Sequence, residues 1–387
     1  MVGRLAFLSM PLLLLGLHAA EEPIHVFPGG DIQAAIEQAA ARPTNKIVKI
    51  HEGIYRPQHK AQAFIFLNRK HDGVQLEAIG NVTLTAQNQE IADKSLSNFP
   101  AIVNHVVYFG DGISSNTLLR GFKITGANNF VTDQPAEDAI EPNLAFFDKS
   151  GGAYGRAFFF TDGGAIKIFG RSYPVIDTIE IYDCFSNPCA GGISIEHRGF
   201  VGHAVTITNC VFRNNRSAVT GSAIDLLTGS AAKISNCLFV GNISNTRTNY
   251  VPVPGNIAWP NPQLFATTFN YMKTNGCGAL TVFAPSIATV DHCTFTGNFN
   301  GVDDRGPRSS YRNCIFWQNN AKGGIRPGGR YEMAVDTPNV IGCFLHGDTD
   351  DLRGTISHTS NQLACPDPMF DANFIPQNPV FANAGRR

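Results

Sequence analysis

The residues of this chain that could do chemistry fall in short segments of one design, small residues followed by an alternating strand. They are Gly163-Gly164-Ala165-Ile166-Lys167-Ile168, Gly191-Gly192-Ile193-Ser194-Ile195-Glu196, Gly221-Ser222-Ala223-Ile224-Asp225-Leu226, Gly278-Ala279-Leu280-Thr281-Val282 and Gly301-Val302-Asp303-Asp304-Arg305. With the aliphatic residues turned inward, a period of two turns Lys167, Ser194, Asp225, Thr281 and Asp303 outward together. Glu196 and Arg305 stand one step further along, and His197 and Arg198 end their strand. Strands stacked about 4.8 Å apart would join these side chains into a polar groove suited to a long, chain-like ligand. Asp225, Asp303 and Asp304 offer the oxygen ligands that Ca²⁺ takes. Inverting hydrolysis needs two carboxyls about 6.5–9.5 Å apart, and two strand spacings would put Asp225 and Asp303 about 9.6 Å apart.

Each candidate also has a plainer reading. Val302-Asp303-Asp304-Arg305-Gly306 suits a solvated turn with a local ion pair. An outward acid such as Asp225 is ordinary on a sheet, and Glu196-His197-Arg198 suits a strand-end charge cluster. Phe158-Phe159-Phe160 reads as buried core before it reads as a sugar-stacking platform.

The elements that must position these residues are announced by a recurring phrase. It runs Ile207-Thr208-Asn209-Cys210-Val211-Phe212, Ile234-Ser235-Asn236-Cys237-Leu238-Phe239 and Val290-Asp291-His292-Cys293-Thr294-Phe295, with looser copies ending at Cys184, Phe316 and Cys343. Repeats without helices between them predict stacked rungs of sheet, each unable to bury its apolar face alone. The apolar positions before and after each Cys cannot share one face of a straight strand, so the chain must bend between them. Asn209, Asn236 and Asn313 stand at that bend, where Asn tolerates a left-handed backbone, and His292 takes the same structural place. A second corner is expected at Asn215, Asn242, Asn298 and Asn319. The 56 residues from Cys237 to Cys293 amount to about two coils, read as a loop excursion with room for one imperfect rung.

Composition narrows the class. Formal net charge is -1 with no run of like charges, which argues against nucleic acid or an anionic membrane as partner. Arg4, the apolar run Leu5 to Leu17 and Ala19-Ala20 read as an export signal, too short for a comfortable membrane span. The repeated position of Cys184, Cys210, Cys237, Cys293, Cys314 and Cys343 favours a ladder of small buried hydrophobes over pairing between rungs. Cys184 and Cys189 stand close enough to pair locally. Asp31 to Ala41 is the one convincing helix, with Asp31 as its cap and Ile32, Ala35, Ile36 and Ala39 as its stripe.

The opening helix Gly30-Asp31-Ile32-Gln33-Ala34-Ala35-Ile36, the segment His51-Glu52-Gly53-Ile54-Tyr55, the Asn-Cys rungs and the closing Asp367-Pro368-Met369-Phe370 together resemble the right-handed parallel β-helix proteins of the pectate-lyase-like superfold. The resemblance implies an all-β solenoid with an N-terminal capping helix. It also implies an acidic polysaccharide as partner and β-elimination as the chemistry. A cation would neutralise the sugar carboxylate while Lys167, Arg198 or Arg305 removed the neighbouring proton. Neither the Asn-Thr-Asp nor the Gly-His-Gly motif of a pectin-hydrolysing relative is present, which lowers hydrolysis. The superfold also holds adhesive proteins, so a non-catalytic glycan-binding or surface protein stands as the alternative.

The expected organisation is a signal peptide over 1–20, a capping segment over 21–45, the β-helix over 46–348 and an irregular tail over 349–387. Excursions fall near 128–155 and 246–275. An exported monomer is expected, with Lys167, Asp225 and Arg305 catalytic, Glu196, His197, Arg198 and Asp303 binding substrate, and Asp225, Asp303 and Asp304 holding Ca²⁺.

Overall fold

The computed structural model describes residues 21–96, 98–128, 162–186, 189–197, 199, 202–217, 220–227, 229–244, 277–319, 331–347, 352–354 and 360–387. The expected signal segment, Arg198, Phe158-Phe159-Phe160 and nearly all of both excursions lie outside the described residues.

Strands pair in parallel from coil to coil, forming among the described residues a 17-stranded sheet, a nine-stranded sheet and a two-stranded one. Each coil contributes two strands to the largest sheet, one on either side of a sharp corner. Asn209, Asn236, Asn313 and His292 hold that corner with φ of 56°, 53°, 51° and 49°. An Asn reaches this left-handed region at little cost, because its short side chain bonds locally. Here Asn209 Nδ2 donates to Asp177 Oδ1 at 2.9 Å, and Asn236 Nδ2 donates to Asn209 Oδ1 at 2.7 Å.

The second corner carries a buried amide ladder. Asn215, Asn242 and Asn298 each donate Nδ2 to the next Asn Oδ1 along the axis and to a backbone carbonyl of the preceding coil. Asn319 closes the run on Glu332, with Nδ2 to Oε2 at 2.6 Å. Every donor on these side chains is thereby used inside the wall, where an unmet one would be costly.

The core runs as ladders of like residues. Phe212, Phe239, Phe295 and Phe316 stack with ring centroids 4.8, 4.2 and 4.9 Å apart. The repeat cysteines line a parallel track, with the Cys210 N–H pointing at Cys237 Sγ (3.4 Å) and the Cys237 N–H at Cys293 Sγ (3.5 Å). All nine cysteines are free and buried, Cys184 and Cys189 included. Burial pushes the Cys184 thiol up to about 12, and buried, unpaired cysteines pack as small apolar residues.

The interval between Cys237 and Cys293 spans one coil and leaves no room for an extra rung. Ile224 pairs with Leu280, Ile234 with Val290 and Phe239 with Phe295, so the two coils are direct neighbours.

Helix Ile32–Ala40 closes the N-terminal end. Asp31 caps it by accepting the Ala34 N–H at 3.0 Å, and Ile32, Ala35, Ile36 and Ala39 seal the core. From Cys365 the chain packs against the outer wall, with Phe381 and Ala384 beside Ile315. Its last residues climb back over three coils, the N–H groups of Gly385, Arg386 and Arg387 reaching Asn313, Thr294 and Asn236.

Candidate active site

The nine-stranded sheet carries the candidate residues. Strand Ile166–Phe169 pairs with Ile193–Glu196, which pairs with Ile224–Leu227, then Leu280–Val282, Val302–Asp304 and Met333–Val335. The register aligns Lys167, Ser194, Asp225, Thr281 and Asp303 in one column, extended upstream by Tyr108 and Phe66. Asp225 and Asp303 are thus two spacings apart with Thr281 between them, about 9.6 Å along the axis.

The column differs from the expected open groove in one respect. Lys167, Ser194, Asp225, Thr281 and Asp303 are each at most 1% exposed. Period-two parity fixes the direction of a side chain and carries no information on whether water reaches it.

Burial makes the electrostatics severe. Lys167 Nζ donates to Glu196 Oε2 at 2.9 Å and to Ser194 Oγ at 3.2 Å, with both charged side chains essentially inaccessible. Asp225 Oδ2 accepts from Thr220 Oγ1 at 2.6 Å, while Oδ1 meets no hydrogen-bond donor. Burial lifts the Asp225 carboxyl to about 7, against the pull of Thr220, the Cys189 thiol and Lys167. Asp162 joins the group: it is fully buried, and neither carboxyl oxygen has a hydrogen-bonding partner. Burial drives its carboxyl well above the usual range, with Lys167 opposing and Glu196 and Asp225 reinforcing; the Cys189 N–H faces it short of hydrogen-bond geometry. The group thus combines a buried ion pair, a carboxyl lifted to about 7 and another driven well above the usual carboxylate range. Sets of titratable groups driven apart in this way can divide acid and base roles.

Asp162 was not among the residues expected from sequence. It stands immediately before the strand-opening segment, in Thr161-Asp162-Gly163-Gly164, and its signal was an acid beside the glycine pair that starts the coil. Thr220 and Cys189 were missed likewise, and both occupy the equivalent pre-glycine stretch of later coils, where they bridge (Cys189 with Thr220) in parallel.

Other expected residues stand elsewhere. Asp304 does not join Asp303, because adjacent residues on a strand face opposite ways. It aligns with the core residues Val282 and Val335, where its carboxylate takes the Tyr311 hydroxyl and the Gly306 N–H, both at 2.6 Å. Burial lifts it to about 7 despite those donors. Asp303 accepts the Tyr331 hydroxyl at 2.7 Å and faces Arg305 Nε at 3.2 Å. Arg305 is a quarter exposed and also reaches Asp336 at 2.9 Å. Burial opposes its charge, and Asp303 and Asp336 outweigh that and hold it above its ordinary value. The three acids therefore form no Ca²⁺ cage, and among the described residues no group of three or more His, Cys, Asp and Glu is placed to hold a metal.

His197, expected at the substrate, stands in the wall of the coil. It is fully buried, accepts the Ala231 N–H at Nδ1 (3.3 Å) and meets the Ser172 carbonyl through Nε2 (2.9 Å). Burial, partly offset by Ser172, lowers it to about 4, so it stands neutral with both nitrogens used.

A family model described as "Right handed beta helix region" matches residues 64–251, a little under half of the chain. No curated protein matches. Among solved structures, the crystal structure of pectate lyase Pel9A aligns with a TM-score of 0.42 and 10% identity, over 89% of this chain and 79% of that one. The parallel coils and the corner ladders, with the matched model of a right-handed β-helix region, show that this chain folds as a right-handed parallel β-helix.

Proposed function

We propose that the protein acts on an acidic polysaccharide by β-elimination at the buried group Lys167, Glu196, Asp225 and Asp162. The observation that carries this reading is the alignment of a cation and a carboxyl poised near 7 in one column of the sheet, with Ser194 between them. Lys167 sits against the sugar carboxylate and stabilises the charge that spreads into it. Asp225, as carboxylate, takes the proton from the carbon next to that carboxylate. The carbon–oxygen bond to the next sugar then breaks, a carbon–carbon double bond forms, and protonated Asp162 supplies the proton to the departing oxygen. Lys167 thus takes the part expected of a calcium ion.

A non-catalytic glycan-binding role is the second reading, and the burial of every member of the group favours it. Export belongs to the proposal and rests on Arg4 and the Leu5–Leu17 run. Among the described residues, no helix is long and apolar enough to cross a membrane.

A panel of polyuronates, assayed by ultraviolet absorbance for unsaturated products, tests the reading. Product is expected with at least one polymer, equally in Ca²⁺ and in chelator, and Asp225→Asn should remove it. No product from any polymer moves the function to binding alone.

A further inference from the structure

On the outer wall of the largest sheet, apart from the nine-stranded sheet and its buried column, two imidazoles meet edge to edge. Strand Ile24–Val26 pairs with strand Ile47–Tyr55 in a register that sets His25 beside Lys49 and Val26 beside Ile50. Val26 and Ile50 turn inward to the core, so His25 and His51 share the outward face, two residues out of register. His25 Nδ1 lies 2.7 Å from His51 Nε2, with ring centroids 5.0 Å apart. One ring donates its N–H and the other accepts with its lone pair.

The pair is braced by its surroundings. Phe27, 58% exposed, stacks on His51 with centroids 4.2 Å apart and planes 15° apart. Buried Tyr55 ties both segments, its hydroxyl meeting the His51 carbonyl at 2.8 Å and the Val26 carbonyl at 3.2 Å. The register with the next strand, Gln75–Thr85, shifts between His51 and Gly53, and a bulge of this kind re-aims the side chain beside it. Gly53 lets the neighbouring turn pack close, since a Cβ there would lie 2.8 Å from Pro28 Cγ. The Gly30 N–H closes that turn on the Phe27 carbonyl at 2.8 Å.

We propose that His25 and His51 form a two-histidine site for a divalent transition-metal ion, with water completing the coordination. Cis ligands 2.0–2.1 Å from an ion stand about 2.9–3.3 Å from each other, so the rings need to part by only about 0.2–0.6 Å. The donor ring moves its proton to its outer nitrogen, and both lone pairs then face the ion. Both rings stay neutral and no proton is released. Imidazole favours Cu²⁺, Ni²⁺ and Zn²⁺ over Ca²⁺ and Mg²⁺, and among these Cu²⁺ binds tightest. The site stands independently of the elimination chemistry proposed above.

Calorimetry on the full chain with Cu²⁺, Ni²⁺ and Ca²⁺ as separate probes tests this, alongside electron paramagnetic resonance of the Cu²⁺ complex. The parent should bind Cu²⁺ more tightly than Ni²⁺, show two coordinating nitrogens, and bind Ca²⁺ more weakly than either. The nine thiols are buried and do not compete for the ion. His25→Ala and His51→Ala should each raise the Kd for Cu²⁺ by about tenfold or more, since loss even of a supporting partner costs a metal site that much. Each should also leave a single nitrogen in the spectrum. His25 is exposed, so its variant should melt as the parent does and decides the question if His51→Ala unfolds early. The proposal is overturned if the parent binds no Cu²⁺, if Ca²⁺ binds as tightly as Cu²⁺, or if His25→Ala binds Cu²⁺ like the parent.

Discussion

Lys167 Nζ lies 2.9 Å from Glu196 Oε2, one coil apart, with both side chains closed to water. Attraction at this depth is strong, but so is the cost of stripping water from each ion. Glu196→Ala should therefore destabilise the fold by about 3–5 kcal/mol, since it strands a buried ammonium. Lys167→Met with Glu196→Leu should recover most of that loss. Urea denaturation of the two variants checks the pattern, and a mild effect in Glu196→Ala would show that water reaches the pair.

Asp225 and Asp304, both raised to about 7 by burial, give the fold a pH dependence of definite sign. The native state holds these protons over a range where the unfolded chain has released them. The stability they confer is complete below the unfolded value near 4 and is lost as pH rises through 7. Each group accounts for about 4 kcal/mol of that decline at most. Melting temperature should thus fall from pH 4.5 to pH 8, and Asp304→Asn should flatten part of the slope. A melting temperature that climbs over this range contradicts the assignment.

The amide ladder predicts a sharp local cost. Asn298 accepts the Asn242 N–H and Nδ2 at Oδ1 and donates Nδ2 to Phe239 and Asn319. Asn298→Ala leaves buried donors and acceptors without partners, at about 1–3 kcal/mol each. A loss of about 3–5 kcal/mol is expected by chemical denaturation. Asn236→Gly, at an exposed left-handed corner, should cost far less.

The cysteines should be silent in the native protein. All nine are buried thiols. A thiol-reactive reagent should label none within minutes at pH 8 and all nine after denaturation without reductant. Any shortfall after denaturation would reveal a disulfide.

Architecture was far more legible in the sequence than chemistry, for a physical reason. Stacking repeats the same demand in every coil, so Asn209, Asn236 and Asn313 announce the corner together and the phenylalanines announce the core. The column Lys167–Ser194–Asp225–Thr281–Asp303 was readable from the same periodicity. Its closure to solvent was not, because cover comes from packing across the face and leaves no mark on parity. Asp304 was grouped with Asp225 and Asp303 as an oxygen ligand, although the alternation that sorted the other residues sends it inward to Tyr311. Asp162 escaped because it precedes its strand, and the burial of His197 was hidden because a buried imidazole and an exposed one look alike in sequence.

The direct pairing of Ile234 with Val290 and of Phe239 with Phe295 separates what builds the scaffold from what can be varied on it. Neighbouring coils keep their alignment although 56 positions divide their cysteines, and lengthening a connection costs little once its ends are fixed. Insertions between those anchors that leave strand Leu280–Val282 paired with Ile224–Leu226 therefore need not reset the stack.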